Sequence, residues 1–410
     1  MEQINLTGQI RWIGKVDDRK VPFHRLILEK GTTYNSYFID AEKPAVIDTV
    51  DILFGKEYVE NLSKMTDLTK LEYIIINHVE PDHSGALPAL AAKASKAVIV
   101  CTKLAEDELK KMFRLYNREF LIVKDGDQLE LGGVTLEFIE TPYLHTAETM
   151  MTYAKEDQIL FSCDIFSTHI ANFELFNDIA KQEYTEDFRV YYDLIMAPHR
   201  PYVRDMLKKI EQLPIKMIAP SHGYILRGDP QKFITIYNQK SELNLSGKER
   251  RVVIAYATMT GNTGKVAALL SKQLTDAGIE VSVFHLKDAD LNEVADRIKE
   301  SKGFLIGSAT RYGDMVGNVE ELLKMIQAED VAGKPAAAFG SYGWSGEAIA
   351  HVEDYLVQFG AKVVNQKFLI QNMGVEEAIF PLRIRFSAEE QKERIENAGR
   401  IFAEQIMAAK

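Results

Sequence analysis

Four candidate metal ligands lie within six residues in the stretch Asn77-His78-Val79-Glu80-Pro81-Asp82-His83. They follow the apolar run Tyr73–Ile76, which predicts a buried strand, so a single turn after that strand could direct all four side chains inward. Taken alone, the cluster could also be a charged surface loop whose histidines have ordinary hydrogen-bond partners. The rest of the chain has to decide between these two interpretations.

Three further donors also come just after predicted strands: His145 follows Val134–Ile139, Asp164 follows Ile159–Cys163, and His222 follows the strand that starts at Lys216. Seven of the nine histidines precede residue 250, and four of them share this placement. Scattered structural histidines would not repeat one position in this way. The pattern favours a site that binds two metal ions.

A second constellation begins after the predicted strand Val252–Ala257. The loop Thr258-Met259-Thr260-Gly261-Asn262-Thr263-Gly264 precedes a helix that we expect to start near Lys265, and it offers hydroxyls, backbone N–H groups and a helix N-terminus to a phosphate. The loop is neither Gly-x-Gly-x-x-Gly nor a P-loop, which disfavours dinucleotides and nucleoside triphosphates. By itself it could equally be a capped turn without a ligand.

Two more loops favour a ligand with a flat ring. Ser308-Ala309-Thr310-Arg311-Tyr312-Gly313-Asp314 follows the third strand of this region, and Ser341-Tyr342-Gly343-Trp344-Ser345-Gly346-Glu347 follows the fourth. Both carry large aromatic residues beside glycines at the carboxyl ends of strands, where open α/β sheets bind ligands. Of the two aromatic side chains Tyr312 and Trp344, Trp344 is the stronger candidate to pack against that ring.

The elements that position these residues divide the chain into two regions. Short β segments with helices between them fill the first region and suit an α/β sandwich. A polar stretch, Gln239–Arg251, then precedes a regular strand–helix alternation, so we expect domains at 1–249 and 250–410. The second region predicts a doubly wound parallel sheet of five strands, namely Val252–Ala257, Val281–Phe284, Phe304–Ser308, Ala336–Ser341 and a late pair near Ala361–Val364 and Lys367–Ile370.

Composition excludes several classes of protein. The chain has 410 residues, enough for two domains, and a formal net charge of −11, which disfavours nucleic acid as a partner. No apolar run long enough for a membrane span or a secretory signal is present, so we expect a cytoplasmic protein. The two cysteines, Cys101 and Cys163, form no CxxC pair, so any iron must bind through nitrogen and oxygen donors.

On these residues the first region resembles the metallo-β-lactamase fold, whose metal loop carries a second histidine where this chain has Glu80. That replacement is the signature of the flavodiiron proteins, and the spacing of the later donors is similar. A carboxylate-rich set suits iron rather than redox-inert zinc. The resemblance implies an αββα sandwich with a di-iron centre, in which His78, Glu80 and His145 bind one iron, Asp82, His83 and His222 bind the other, and Asp164 bridges them. His83 is the least secure ligand, because some members do not engage it.

The second region resembles flavodoxin, and the segment around Trp344 is similar to the flavodiiron version. FMN is the implied cofactor, with the loop from Thr258 to Thr263 on its phosphate and the two aromatic loops on its ring system. Members of the same family carry a histidine near the metals in the region that corresponds to His24. His24 could have that role or could equally be a solvated loop residue. A phenol from Tyr191 or Tyr192, of which we single out Tyr192, could help to protonate a reduced oxygen species. His169, His199, His285 and His351 are expected to be structural.

The fused architecture implies that electrons pass from an external donor through FMN to the metals, for the reduction of O2 to water, of NO to N2O, or of both. Because the chain cannot hold a rubredoxin site of its own, we expect a separate rubredoxin or another small donor. The resemblance also implies a head-to-tail homodimer or a dimer of dimers, which brings the FMN of one chain to the metals of another. The alternatives are a two-zinc hydrolase with an accessory flavodoxin domain, or an electron carrier that uses FMN alone.

Overall fold

The computed structural model describes residues 4–23, 26–241, 250–373 and 379–408, and the chain divides into two compact units, Met1–Glu242 and Leu243–Lys410. The domain boundary expected at residue 249 lies outside the described residues, as does His24. Within those described ranges, no helix combines the length and the apolar character needed to cross a membrane.

The first unit contains two large sheets and several short strands. Its strands are β1 Ile4–Asn5, β2 Ile10–Trp12, β3 Lys15–Asp17, β4 Pro22–Phe23, β5 Leu26–Ile27, β6 Thr32–Tyr34, β7 Tyr37–Ile39, β8 Ala45–Ile47, β9 Tyr73–Ile75, β10 Val98–Cys101, β11 Phe120–Ile122, β12 Gln128–Glu130, β13 Thr135–Glu140, β14 Met150–Ala154, β15 Ile159–Cys163 and β16 Met217–Pro220. One sheet has the order β1-β2-β7-β8-β9-β10-β11 and the other β12-β13-β14-β15-β16. Two small antiparallel pairs, β3–β6 and β4–β5, accompany them.

Helices cover the outer face of each sheet. They are α1 Gly55–Ser63, α2 Pro81–Ser84, α3 Leu87–Lys93, α4 Lys103–Phe113, α5 Thr185–Tyr191, α6 Arg200–Ile210 and α7 Pro230–Ser241. Short 3₁₀ turns lie at Ile52–Phe54, Leu68–Lys70, Asn177–Ile179 and Ala197–His199, and α5 continues into a π-helical turn, Tyr192–Met196.

The alternation of side chains along the strands builds three apolar layers. In β7, Tyr37 and Ile39 pack between the two sheets, whereas Phe38 faces the core beneath α1, α3 and α4. The second sheet behaves in the same way, because Phe138 of β13 faces the first sheet and Ile139 packs towards α5, α6 and α7. The arrangement is helix, sheet, sheet, helix, which is the sandwich expected from the sequence.

The second unit is one parallel sheet between two layers of helices. Its large sheet is formed by β17 Arg251–Ala257, β18 Glu280–His285, β19 Gly303–Ser308, β22 Pro335–Tyr342, β23 Lys362–Val363 and β24 Leu382–Arg385, and a small hairpin by β20 Thr310–Arg311 and β21 Asp314–Met315. The helices are α8 Asn262–Asp276, α9 Leu291–Glu300, α10 Val319–Met325, α11 Ala328–Val331, α12 Glu347–Gln358, α13 Gln366–Met373 and α14 Lys392–Ala408, with a 3₁₀ turn at Glu389–Gln391.

The strand order β18-β17-β19-β22 continues into a fifth position that two short strands share. β23 pairs with the start of β22 at Pro335 and Ala336, and β24 pairs with its end from Phe339 to Tyr342. The predicted doubly wound sheet is therefore present, but the strand expected at Lys367–Ile370 is wrong. That segment belongs to helix α13, because an apolar run of four residues does not distinguish a strand from a short helix.

Candidate metal and flavin sites

The seven predicted metal ligands of the first unit meet at one edge of the sandwich, between its two sheets. The loop after β9 carries His78 and Glu80, and the short helix α2, which begins at Pro81, carries Asp82 and His83. Gly85 ends that helix where any larger residue would clash, since an added Cβ would lie 2.3 Å from the backbone nitrogen of Ile52. The other three residues come from the second sheet: His145 lies between β13 and β14, Asp164 follows β15, and His222 follows β16.

The seven side chains form two sets around Asp164. Oδ2 of Asp164 lies 3.8 Å from His78 Nε2 and 3.2 Å from His145 Nε2, and Glu80 Oε2 lies 3.4 and 3.7 Å from the same two nitrogens. Oδ1 of Asp164 lies 3.3 Å from both His83 Nε2 and His222 Nε2. Each of the two Asp164 oxygens therefore faces a different set of donors.

The second set is completed by Asp82. Its Oδ2 lies 3.5 Å from His83 Nε2 and 3.2 Å from His222 Nε2. Separations of this size suit donors that surround a cation rather than donors that bond to one another. In each set the atoms lie close enough for one ion to contact all of them.

Burial and unused hydrogen-bonding capacity support this interpretation. His78, Asp82, His83, Asp164 and His222 are at most 7% exposed. Among the described residues, His78 Nε2, Asp82 Oδ2, His83 Nε2, His222 Nε2 and both carboxylate oxygens of Asp164 are buried and make no hydrogen bond. Buried polar atoms without partners are costly, and a bound cation removes that cost. The residues present therefore fit a pair of metal ions.

The electrostatics of the metal-free site point the same way. Burial alone would raise the pKa of Asp82, but the charges of His83 and His222 outweigh it and lower that pKa to about 2. Burial would lower the pKa of His222, yet the nearby Asp164 and Asp82 carboxylates raise it to about 9. The carboxylates are thus ionised, and protons on the imidazoles balance them. Metal ions can replace those protons, as metal binding to histidine requires.

Hydrogen bonds behind the metal-facing atoms fix two of the imidazole rings. His222 Nδ1 lies 2.7 Å from the carbonyl oxygen of Thr33, and His78 Nδ1 lies 2.6 Å from Oε1 of Glu148. His83 is held more loosely, because its Nδ1 is 4.0 Å from both Cys163 Sγ and Asp48 Oδ2. The sequence analysis did not predict Glu148. The feature that could have pointed to it is its position three residues after His145.

The two candidate phenols, Tyr191 and Tyr192, have different surroundings. Tyr192, the phenol singled out, packs edge-on against Tyr237 and beneath Lys240 rather than beside the ligands. Its neighbour Tyr191 lies next to His169, whose ring is 5.1 Å from that of His222. The helical turn directs adjacent side chains to different faces, so Tyr191 is the phenol that lies next to His169.

His169, which was expected to be structural, lies against both Tyr191 and His222. Its Nδ1 is 3.0 Å from the hydroxyl oxygen of Thr32. His169 has no position after a strand, so only the tertiary structure could bring it to the site.

In the second unit a cavity of about 560 Å³ opens at the N-terminus of α8. From the predicted loops it is lined by Met259, Thr260, Asn262, Ala309, Thr310, Ser341, Tyr342 and Gly343, and it also includes Lys265, Phe386, Ser387 and Glu389, which the prediction missed. An adjoining cavity of about 680 Å³ is lined by Thr310, Tyr312, Gly313, Tyr342, Gly343, Trp344, Ser345 and Glu347. Together they form a polar cradle at a helix N-terminus that continues into a groove with aromatic walls.

The remaining predicted residues support these cavities without lining them. The Thr258 hydroxyl accepts a hydrogen bond from Gly261 N, and Thr263 Oγ1 lies 2.8 Å from Ser341 Oγ, which ties the phosphate loop to the fourth strand. Gly261 adopts φ +85°, and an added Cβ would point into open space. Ser308 accepts the backbone N–H of Val316. The others are Arg311, which stacks on Tyr312, and Gly346, whose carbonyl accepts from Arg383.

The aromatic side chains of the groove are largely exposed. Tyr312 is 92% and Trp344 is 91% accessible to solvent, and Phe386 and Met259 at the neighbouring cavity are more than half exposed. Large aromatic side chains that face solvent are typical of binding surfaces. The phosphate cradle and these rings fit a flavin mononucleotide.

Comparisons with known proteins agree with both sites. Residues 32–223 match the family model of the ODP family beta lactamases, and residues 254–397 match that of flavodoxin. The chain is 37% identical over 365 residues to the anaerobic nitric oxide reductase flavorubredoxin of Aeromonas hydrophila, which covers 87% of this chain and 73% of that protein. The flavorubredoxin of Pectobacterium atrosepticum is also 37% identical, with 87% and 71% covered.

Solved structures show the same two-unit architecture. The flavodiiron protein of Giardia intestinalis is 29% identical, with a TM-score of 0.59, and the match covers 100% of this chain and 98% of that one. Rubredoxin oxygen:oxidoreductase of Desulfovibrio gigas is 25% identical, with a TM-score of 0.56 and coverage of 100% and 99%. The chain therefore belongs to the flavodiiron proteins, oxidoreductases that carry a di-iron centre in a metallo-β-lactamase-like domain and FMN in a flavodoxin-like domain.

Proposed function

We propose that this chain reduces nitric oxide, dioxygen or both, with electrons that an external donor delivers through FMN. The observation that carries the proposal is the pair of donor sets around Asp164, one of which contains Glu80. The printed names of the relatives, a nitric oxide reductase and a rubredoxin oxygen:oxidoreductase, indicate these two substrates. Both substrates are small enough to meet two metal ions held by one bridging carboxylate.

The residues divide into the roles that the resemblance implied. His78, Glu80 and His145 would hold one iron, Asp82, His83 and His222 would hold the other, and Asp164 would serve both sets. Bound iron would supply both Lewis acidity and redox chemistry, whereas zinc supplies Lewis acidity alone. Glu80 favours this redox role over the alternative two-zinc hydrolase, because hard oxygen donors stabilise ferric iron.

His169 lies next to His222, and Tyr191 lies next to His169, so both are protonatable groups close to the ligands. Either reduction consumes protons, two for a pair of NO molecules and four for O2. We assign these two side chains the task of holding a proton close to the substrate. Burial and nearby carboxylates such as Asp164 raise the pKa of Tyr191, so its phenol keeps its proton at neutral pH.

In the second unit the cradle at α8 holds the phosphate of FMN, and Tyr312 and Trp344 flank its ring system. We propose that rubredoxin or another small donor reduces this flavin in the cytoplasm.

We also propose a head-to-tail homodimer or a dimer of dimers. Exposed apolar side chains support it, since Ile52, Leu53 and Phe173 of the first unit are 62, 72 and 72% exposed, and Tyr312 and Trp344 are more exposed still. Light scattering tests this state, and a fully active monomer would contradict it.

The decisive experiment is anaerobic purification followed by quantification of iron and FMN, and then by measurement of NO and O2 consumption with reduced rubredoxin. We expect two iron ions and one FMN per chain and consumption of at least one substrate. Two zinc ions per chain, together with thioesterase or lactamase turnover, would refute the proposal. The flavin without any metal would leave the chain an electron carrier and would contradict it as well.

A further inference from the structure

Glu148 is a buried carboxylate that contacts a metal-facing histidine from behind. It is 3% exposed, and its Oε1 lies 2.6 Å from His78 Nδ1 and 3.2 Å from the backbone nitrogen of Val79. The Val79 amide can only donate, so Oε1 is an acceptor. His78 Nδ1 therefore carries the proton of this contact, which leaves Nε2 as the nitrogen that binds a metal.

The three fully buried histidines of the site differ in what lies behind them. The Nδ1 of His222 donates to a neutral carbonyl oxygen, that of Thr33, at 2.7 Å. The Nδ1 of His83 faces Cys163 Sγ and Asp48 Oδ2, each at 4.0 Å. Of these three rings, in the described part of the chain, that of His78 is the one whose Nδ1 has a carboxylate at hydrogen-bond distance. His78 belongs to the set that contains Glu80.

Glu148 is itself held in place from the other sheet. The Thr102 hydroxyl donates to the Glu148 carbonyl oxygen at 2.8 Å and also accepts from Ala105 N as the N-cap of α4. Thr102 directly follows β10 of the first sheet, whereas Glu148 precedes β14 of the second. The backbone of Glu148 is thus tied to the first sheet as well as to the second, and the Val79 amide holds its carboxylate, so Glu148 can fix the orientation of the His78 ring.

We propose that Glu148 is a positioning residue that makes the two metal positions unequal; this inference rests on the proposed di-iron function. A charge-assisted hydrogen bond increases electron density on the opposite ring nitrogen, so His78 becomes a stronger donor than His222. A stronger donor stabilises ferric over ferrous iron. The iron held by His78, Glu80 and His145 is therefore bound more tightly because of Glu148, and its reduction potential is lower.

The test compares the full-length chain with Glu148→Gln, which keeps the shape of the side chain but removes its charge. Glu148→Asp keeps the charge and withdraws the carboxylate from His78. Glu137→Gln is the matched control, because its carboxylate contacts Lys155 and Gln128 on the same unit, away from the ligands. Iron affinity is measured by chelator competition, and the iron potentials by redox titration with the flavin as internal reference.

In Glu148→Gln we expect one of the two irons to bind about tenfold more weakly or worse and its potential to rise, while the second iron and the flavin match the control. Glu148→Asp should show the same selectivity to a smaller extent. Equal weakening of both irons would mean a general structural role and would overturn the proposal, as would affinities and potentials identical to the control. If Glu148→Gln does not fold, Glu148→Asp decides by the same criteria. A wild-type chain that binds no iron would contradict the proposed function instead.

Discussion

The two cofactor sites are built in opposite ways. In the first unit five of the seven candidate ligands are at most 7% exposed, and the Nδ1 atoms of His222 and His78 lie at hydrogen-bond distance from Thr33 and Glu148. In the second unit the aromatic walls of the flavin groove, Tyr312 and Trp344, are more than nine-tenths exposed. Most of the first site is enclosed by the fold, whereas the second presents exposed aromatic rings that a bound flavin would cover.

This difference has a physical reason. A buried carboxylate cluster is tolerated only when geometry and charge are satisfied together, so the fold must hold every donor in place. A flavin brings a large apolar ring of its own, so the loops that receive it need only a fixed backbone and side chains free to pack. Substitutions should therefore abolish metal binding outright but weaken flavin binding by degrees.

The largest effect is expected for Asp164→Ala. Because one carboxylate faces both donor sets, its loss should reduce iron from two per chain to nearly none, while FMN content stays the same. Metal analysis and flavin absorbance measure both quantities on one sample. The matched control is Asp178→Ala, which removes an exposed aspartate paired with Arg227 and should keep both irons. Retention of a full iron pair in Asp164→Ala would show that the two sites are not held by a shared bridge.

Trp344→Ala should weaken FMN binding by roughly tenfold, since an aromatic stacking contact contributes about 0.5–1.5 kcal/mol beyond the area that it buries. Iron content should not change. Titration of the apoprotein with FMN, followed by quenching of flavin fluorescence, gives the dissociation constant. Val357→Ala, at another exposed apolar residue of the same unit, serves as the control. An unchanged dissociation constant would place the flavin ring elsewhere.

Gly261→Ala tests the phosphate cradle. At φ +85° a side chain costs about 1 kcal/mol of backbone strain, and here that strain falls on the N-cap of α8, in the loop proposed to hold the phosphate. We expect a loss of stability of that size in urea unfolding and a several-fold loss of FMN affinity. Gly126→Ala has the same strain at φ +82°, also with open space around it, but lies in the first unit. It should lose stability without any change in flavin affinity, and equal flavin affinities in the two variants would argue against the cradle.

The smallest effect is expected for Arg383→Gln. Arg383 donates to the carbonyl oxygens of Ser345 and Gly346 and lies over the Tyr342 ring, so it holds the backbone of the Trp344 loop. Its loss should lower FMN affinity only two- to fourfold and increase the mobility of Trp344. Fluorescence anisotropy reports that motion once Trp12, the other of the two tryptophans, is replaced by Phe. Arg251→Gln, at an exposed arginine that faces Glu280, is the control, and anisotropy equal to that control would contradict the role.

The contrast between the sites also explains which features were predictable. The ligand types and their repeated placement after strands follow from local sequence, because apolar runs of four to six residues reliably predict buried strands here. The regular alternation after residue 250 likewise predicts the doubly wound sheet. The strand prediction failed at Lys367–Ile370, because this short apolar run has no period that distinguishes a strand from a helix. The segment is helical, and β23 and β24 fill the fifth position of the sheet.

Side chains that act through a neighbour were harder to predict. Glu148, Tyr191 and His169 carry no motif of their own, and Phe386 and Lys265 reach the flavin cavity from segments far apart in the chain. Their roles depend on the face of a turn from which a side chain projects and on which strands become neighbours. The spacing of residues along the chain predicts neither.

By itself the sequence determined the chemistry of this protein: seven nitrogen and oxygen donors, a phosphate loop, and two aromatic loops at strand ends. The resemblance implied how those donors are divided, but only the tertiary structure showed that the two oxygens of Asp164 face different sets and which carboxylate lies behind His78. The reason is that residue type fixes what a side chain can bind, whereas its partners are set by the packing of two sheets whose strands are distant in sequence.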